Sequence, residues 1–296
     1  MGLCALDYTC VVDRYPGPDM KIEAKQFSRQ GGGPVPNALS ALSHFGAKTS
    51  FIGKVGNDPE GKIVRSELER FGVDTSGLVM DSYSRTPRAF IWVDSHTGAR
   101  TVVLDRTEIA ELSAAELNEK LLQSCRYLHL DGRESPVSIY AARLAREAGA
   151  EVVLDAGSMR ENIKELLPLV DHMVVSKSFA EQFTGEGEPG AACLKLLEIG
   201  FLTVTVTLGN KGCVCAMKGD FFQQDAFEVE VVDTTGSGDV FHGAYIYGLS
   251  KGWPMDQVIE FASAAAAIKC TRIGGRQGIP TVDEVVQFIE VRKGRL

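Results

Sequence analysis

The sequence predicts an α/β fold, with a mainly parallel central sheet covered by helices on both faces and a small second β-sheet. Three observations carry this. From Ser113 onward helical and strand patterns alternate, the order that builds a parallel sheet through helical crossovers. The strand candidates in that half are short apolar runs, as expected where both faces of a sheet are buried. Two earlier segments, 8–30 and 84–106, are β-rich without helices of their own, so they pair as a small sheet over one edge of the main domain (1–7, 31–83 and 107–296).

Taken in order, residues 2–12 read as a strand in which Asp7 interrupts an apolar or small run. The turn-rich Tyr15-Pro16-Gly17-Pro18-Asp19 follows, then an alternation over 21–29 that suits a half-covered strand. Gly31-Gly32-Gly33-Pro34-Val35-Pro36-Asn37 opens a helix that runs to Phe45 and stops at Gly46. A strand over 49–55 and an amphipathic helix over 59–71 come next. Strands at 88–94 and 100–104 flank Ser95-His96-Thr97-Gly98, a hairpin-type turn. Strands at 127–130, 151–155, 172–176 and 202–208 then alternate with helices near 113–124, 136–149, 160–167 and 189–199. A hairpin (213–217 and 221–224) leads into a strand ending at Val231-Val232. Helices over 236–249, 254–271 and 282–292 close the chain, with the Gly-rich Ile273-Gly274-Gly275-Arg276-Gln277-Gly278 before the last.

The chain of 296 residues has a formal net charge of −8, which disfavours a nucleic-acid binder, whose affinity rests on basic patches. Its 7 cysteines are odd in number and scattered, the usage of a reduced, intracellular protein, and Cys213-x-Cys215 lacks the second pair a zinc site needs. No apolar run reaches the roughly 18 residues of a membrane span, and no signal peptide is expected. The expectation is a cytoplasmic protein. It enters a strand almost at once, which suggests a shortened N-terminus.

The chemistry concentrates in Asp233-Thr234-Thr235-Gly236-Ser237-Gly238-Asp239, where a β-branched run turns into a small-residue helix. The first turn of such a helix carries unpaired N–H groups and the positive end of the dipole, which together favour an anion. Glycines let a phosphate approach the backbone. Asp239 stands beside that anion as a candidate general base. Asp7 needs partners inside its strand, and vicinal hydroxyls supply them. Asp131-Gly132-Arg133 lies at the C-terminal end of a strand, where open α/β sheets bind ligands, and Arg133 can pair with an anionic substituent.

Gly31-Gly32-Gly33…Asn37 followed some two hundred residues later by Asp233–Asp239, with the intervening αβ order, resembles the ribokinase (PfkB) family of carbohydrate kinases over essentially the whole chain. The resemblance implies a ribokinase-like, Rossmann-like sheet with a small β lid, and ATP- and Mg2+-dependent phosphorylation of a sugar hydroxyl. It also implies a homodimer joined through the lids. Asp239 is then the base, with the backbone of Gly236, Ser237 and Gly238 as anion hole. Asp7, Gly32, Gly33 and Asn37 match the sugar site, and Asp131 with Arg133 meets the sugar. Ser176, Thr207, Gly209, Gly212, Ala266 and Cys270 fall on the nucleotide side. Asp233, Thr235, Arg272, Gly274 and Gly278 match a monovalent-cation (K+) site.

The sequence departs from the family pattern at Ser176-Lys177-Ser178-Phe179, where a typical member carries Asn-x-x-Glu, so no protein ligand to Mg2+ is assigned. That variant and Gly132-Arg133 resemble the ketohexokinase type. Asp239-Val240-Phe241-His242-Gly243-Ala244, Lys269-Cys270-Thr271-Arg272, Gly31-Gly32-Gly33-Pro34 and Lys21 resemble the sulfofructose kinase type. A ketose acceptor follows, fructose-like, with Lys21 and Arg133 suited to an anionic group. The alternatives are a nucleoside (adenosine-type) kinase of the same superfamily and a catalytically weak sugar-binding member.

Overall fold

A computed structural model describes residues 1–133, 136–159 and 163–294. Its largest sheet has six strands: β7 (Tyr127–Leu130), β8 (Glu151–Ala156), β9 (His172–Ser176), β10 (Thr203–Thr207), β11 (Cys213–Met217) and β12 (Asp220–Gln224). They lie in the order β12-β11-β10-β9-β8-β7, with β7 to β10 parallel and the last two added antiparallel as a hairpin. Beyond β7 runs a parallel pair, β3 (Ser50–Gly56) with β4 (Asp74–Asp81). The first residues bridge the gap, Met1 N donating to His129 O (2.6 Å) and Gly2 N to Ile52 O (3.2 Å).

Alternation along each strand sorts side chains into two cores. Val152, Leu154, Met173, Val175, Val214 and Ala216 face one way, under α4 (Pro136–Glu147), α6 (Lys177–Thr184) and α7 (Pro189–Leu197). Val153, Val174, Cys213 and Cys215 face the other way, under α1 (Pro34–His44), α8 (Ser237–Lys251) and α9 (Met255–Cys270). Each buried aliphatic side chain contributes about 1.5–3 kcal/mol by leaving water, which makes the two-sided burial of these short runs the main constraint on the sheet. The remaining helices are α2 (Pro59–Arg70), α3 (Glu119–Ser124), α5 (Ile163–Leu166) and α10 (Val282–Arg292).

The separate small sheet has the order β2-β1-β5-β6, built from β1 (Ala5–Val12), β2 (Gln26–Gly32), β5 (Arg88–Asp94) and β6 (Arg100–Asp105). β1 runs unbroken through residues 7 and 8, carrying the chain into the small sheet. The second strand begins only at Gln26 and continues to Gly32, so the first glycines of the Gly-Gly-Gly run are strand residues. Pro34 then starts α1 at a position where its missing N–H costs nothing.

Three elements differ from expectation. Residues 74–81 form β4, whose Asp74, Thr75, Ser76 and Gly77 hide its strand character, although Gly77 is needed because a Cβ would sit 2.8 Å from Phe51 O. The α6 helix follows β9 directly, opened by Ser176, whose Oγ accepts from Phe179 N at 3.0 Å. Val231-Val232 is not a strand: Val232 N and Asp233 N both donate to Cys270 O (2.8 and 3.1 Å), so this backbone is tied to the end of α9 instead. The first three residues of the helix expected over 160–167 lie outside the described residues.

Candidate active site

The start of α8 has no side-chain cap. Gly236 takes the capping position with φ 75°, and a Cβ there would lie 2.8 Å from Gly275 Cα, so both backbone conformation and packing require glycine. Of the predicted trio of donors, Ser237 N is engaged in a turn to Thr234 O (3.2 Å). Gly236 and Gly238 are the members whose N–H groups have no such turn partner among the described contacts.

Asp239, in the first turn of α8, is half-buried, and its Oδ2 accepts from Asn37 Nδ2 at 2.7 Å. Asn37 is held in turn by Arg276, whose Nε donates to Asn37 Oδ1 at 2.9 Å. Arg276 is 2% exposed, reaches Gly32 O (3.4 Å) and lies 3.6 Å from Glu67, whose carboxylate also accepts from Gly31 N (2.7 Å). Asp7 is 5% exposed, and Gly32 lies against it so closely that a Cβ would come within 2.2 Å of its carboxylate. The structure therefore brings Asp7, Gly32, Asn37 and Asp239 together around one buried guanidinium. Gly33, with φ 109°, makes the turn between β2 and α1.

The electrostatics follow from crowding acids at low exposure. Burial pushes the Asp7 carboxyl up to about 7, with Arg276 opposing and Asp239 and Glu67 adding to the rise. Burial, then the neighbouring Asp155 carboxylate, push Asp239 up to about 6, while the Asn37 hydrogen bond holds it down. Close to Asp239 lies a cluster of two histidines and an aspartate that no sequence motif marks. His242 Nε2 is 3.3 Å from Asp155 Oδ1, and the His129 ring packs tilted against that of His242, with ring centroids 5.4 Å apart. Burial alone would discharge His242, yet Asp155 and Asp239 hold its pKa above the ordinary value. Burial keeps His129 neutral, its pKa lowered to about 3. The signal for His242 is its place three residues after Asp239, on the same helical face.

Asp131 and Arg133 belong to a neighbouring cavity of about 180 Å³ whose wall also holds Lys54 and Arg106. Asp131 accepts from Leu3 N (2.7 Å) and Arg133 N (3.2 Å). Lys54 is engaged by Glu116 at 2.7 Å. Lys21 is exposed in the coil between β1 and β2 and is not part of this wall.

At the C-terminal edge of the large sheet, Ser176 and Thr207 are register partners. Ser176 Oγ is occupied as the α6 cap and by Gly157 O (2.9 Å), and Thr207 Oγ1 donates to Val175 O (3.1 Å). Gly209 and Gly212 bound the next turn, and at Gly212 a Cβ would meet Gln224 O at 1.9 Å. Ala266 and Cys270, four residues apart on α9, are both partly exposed, and Cys270 lies near Ser237. Where the family pattern carries Asn-x-x-Glu, Ser176 offers no carboxylate, so this stretch does not fit a direct Mg2+ ligand set.

Asp233 is fully buried and clamps the motif to the 273–278 loop, its carboxylate accepting from Thr235 N and Gly274 N, both at 2.8 Å. Thr235 is buried with its hydroxyl unpartnered. Arg272 points away, donating to Glu284 Oε1 on α10 (2.7 Å). Gly278 packs against Lys269, a Cβ there falling 2.9 Å from Lys269 O. The small sheet meets the motif through Arg100 Nη1, 3.2 Å from Thr234 Oγ1.

A helix start with an acid in its first turn, set beside buried polar groups and next to the small sheet, is a class of site suited to an anion held beside a base. The comparisons give the class its family. The model of the pfkB family carbohydrate kinases matches residues 1–282, and the chain belongs to that family. It is 30% identical to the ribokinase of Haemophilus influenzae over 98% of this chain and 97% of that one. It is 31% identical to fructokinase-1 of Zea mays, over 90% of this chain and 91% of the relative. The Arabidopsis thaliana ribokinase, solved in complex with ribose and ATP, superimposes with a TM-score of 0.83 at 25% identity, covering 98% of this chain and 97% of that one. The protein is a carbohydrate kinase with a ribokinase-like fold.

Proposed function

We propose that the chain transfers the γ-phosphoryl group of ATP to a hydroxyl of a ketose, fructose-like and carrying an anionic substituent. The observation that carries the transfer is the Asn37–Asp239 hydrogen bond, which couples the sugar motif to the anion-hole motif across the fold. Asp239, with a pKa near 6, is ionised at neutral pH yet close enough to accept a proton readily. It takes the proton of the accepting hydroxyl, while the N–H groups of Gly236 and Gly238 face the charge on the transferred group. Asp7, the backbone at Gly32 and Gly33, and Asn37 hold the sugar, and Asp131 closes the next wall. Thr207, Gly209, Gly212, Ala266 and Cys270 form the nucleotide side, with Ser176 at its edge. Bound to the phosphates of ATP, Mg2+ would supply charge neutralisation there, with no ligand assigned to this chain.

Arg106 and Arg133, the latter 3.9 Å from the Asp131 carboxylate, share one cavity wall and support an anionic substituent, whereas Lys21 lies outside that wall. We assign residues 8–30 and 84–106 as a lid. Tyr8, Phe27, Phe90 and Val103 form an apolar stripe across the small sheet, with Phe27 60% and Val103 52% exposed, and this favours a homodimer through the lids. The test is ADP release with neutral ketoses, anionic ketoses, ribose and nucleosides in parallel. The reading predicts the highest kcat/KM with an anionic ketose. Preference for a nucleoside contradicts it, and binding of sugars without turnover marks a binding protein instead.

A further inference from the structure

Among the residues matched to a monovalent-cation site, Asp233 already has its carbonyl oxygen occupied by a side chain of this chain. Lys269 is 0% exposed, and its Nζ donates to Asp233 O at 2.7 Å. A lysine fully buried in an otherwise apolar, alanine-rich helix is costly unless its charge is matched. Here the matching groups are those of the motif itself, the Asp233 carbonyl and the nearby Asp233 carboxylate. Gly278 packs against the lysine stem, where a Cβ would lie 3.4 Å from Lys269 Cε. Of the other matched residues, Gly274 uses its N–H on Asp233 and Arg272 faces α10.

We propose that the Lys269 ammonium is a tethered cation that takes the place of K+, fixing Asp233 and the turn before Gly236 so that the chain is a potassium-independent kinase. This rests on the kinase reading above. An ammonium and K+ answer the same need, a single positive charge on backbone carbonyl oxygen. The tethered one is always present and is released neither by dilution nor by ion exchange. Burial lowers the pKa of Lys269, and the Asp233 carboxylate opposes that shift. Arg100 adds a second positive charge in the neighbourhood, which further disfavours a free cation.

The experiment uses the full chain in choline buffer, with KCl added at constant ionic strength, and reads both the thermal midpoint without substrates and ATP turnover. For the wild type, the account predicts no potassium-specific rise in midpoint and turnover changed by less than about twofold, since an ion that does not bind cannot stabilise by mass action. Lys269→Ala opens the space and is predicted to gain a potassium-specific rise in midpoint, with turnover lost in choline and recovered at least in part by KCl. Lys269→Met keeps the aliphatic stem without the charge and covers the case in which the alanine variant fails to fold. It is predicted to fold and to lose turnover in both salts. A wild type that needs potassium, or a Lys269→Met variant fully active in choline, overturns the proposal. The midpoint arm reads the cation site even if no acceptor is found, so its failure is distinguishable from failure of the kinase reading.

Discussion

Replacing Asp239 by Asn separates chemistry from stability. Asn keeps an oxygen to accept from Asn37 Nδ2, so the 2.7 Å link to Asn37 survives, while the proposed base is lost. Losing a positioned general base costs about 10²–10⁴ in kcat, or about 3–5 kcal/mol of barrier. The fold moves the other way. A carboxylate held near 6 rather than its ordinary 3.8 destabilises the native state by up to about 3 kcal/mol when ionised at neutral pH. Asp239→Asn removes that term, and for a chain of this size the thermal midpoint rises by roughly 2–5 °C. The assay is ADP release under saturating ATP beside a calorimetric scan of the same preparation. Turnover within a few-fold of wild type refutes Asp239 as base. Loss of turnover with a lowered midpoint refutes the claim that its charge is strained.

Further expectations follow from the same geometry. Gly32→Ala places a methyl within 2.2 Å of the Asp7 carboxylate, so KM for the sugar rises at least about tenfold while KM for ATP holds, a split seen in initial-rate kinetics. Arg276→Met removes the charge that holds Asn37 and faces Glu67, lowering stability by about 3 kcal/mol in urea unfolding together with kcat/KM. Because Asp239 must be ionised, kcat/KM falls tenfold per unit below about pH 6; His242→Gln removes a charge that favours the ionised form, so that limb moves to higher pH. Both Asp7 and Asp239 have raised folded-state values, so their contribution to stability is complete below about pH 4 and is lost as pH climbs through 6 and 7. In Asp7→Asn the unfolding midpoint varies less over that window.

The short apolar strands were legible in the sequence because two-sided burial leaves few other readings for runs such as Val152-Val153-Leu154. The Gly236–Asp239 turn was legible because glycine there is a backbone requirement. The β4 strand was not, since polar residues open it and its glycine answers a contact with β3 rather than a turn. Val231-Val232 misled because β-branched residues say nothing about which carbonyl their N–H groups will find. Arg276 and Lys269 could be noticed as charges in small-residue surroundings. Their partners, Asn37 and Asp233, are set by how a loop and a helix pack, which no local pattern contains.

The most direct measurement is phosphorus NMR of a reaction holding the protein, Mg-ATP and the best acceptor of the panel. The γ-phosphate signal of ATP is expected to be replaced by a phosphate monoester coupled to a sugar carbon, and Asp239→Asn to leave the spectrum unchanged over the same time. A spectrum in which only inorganic phosphate grows, or in which no acceptor gains a phosphoester, contradicts this expectation.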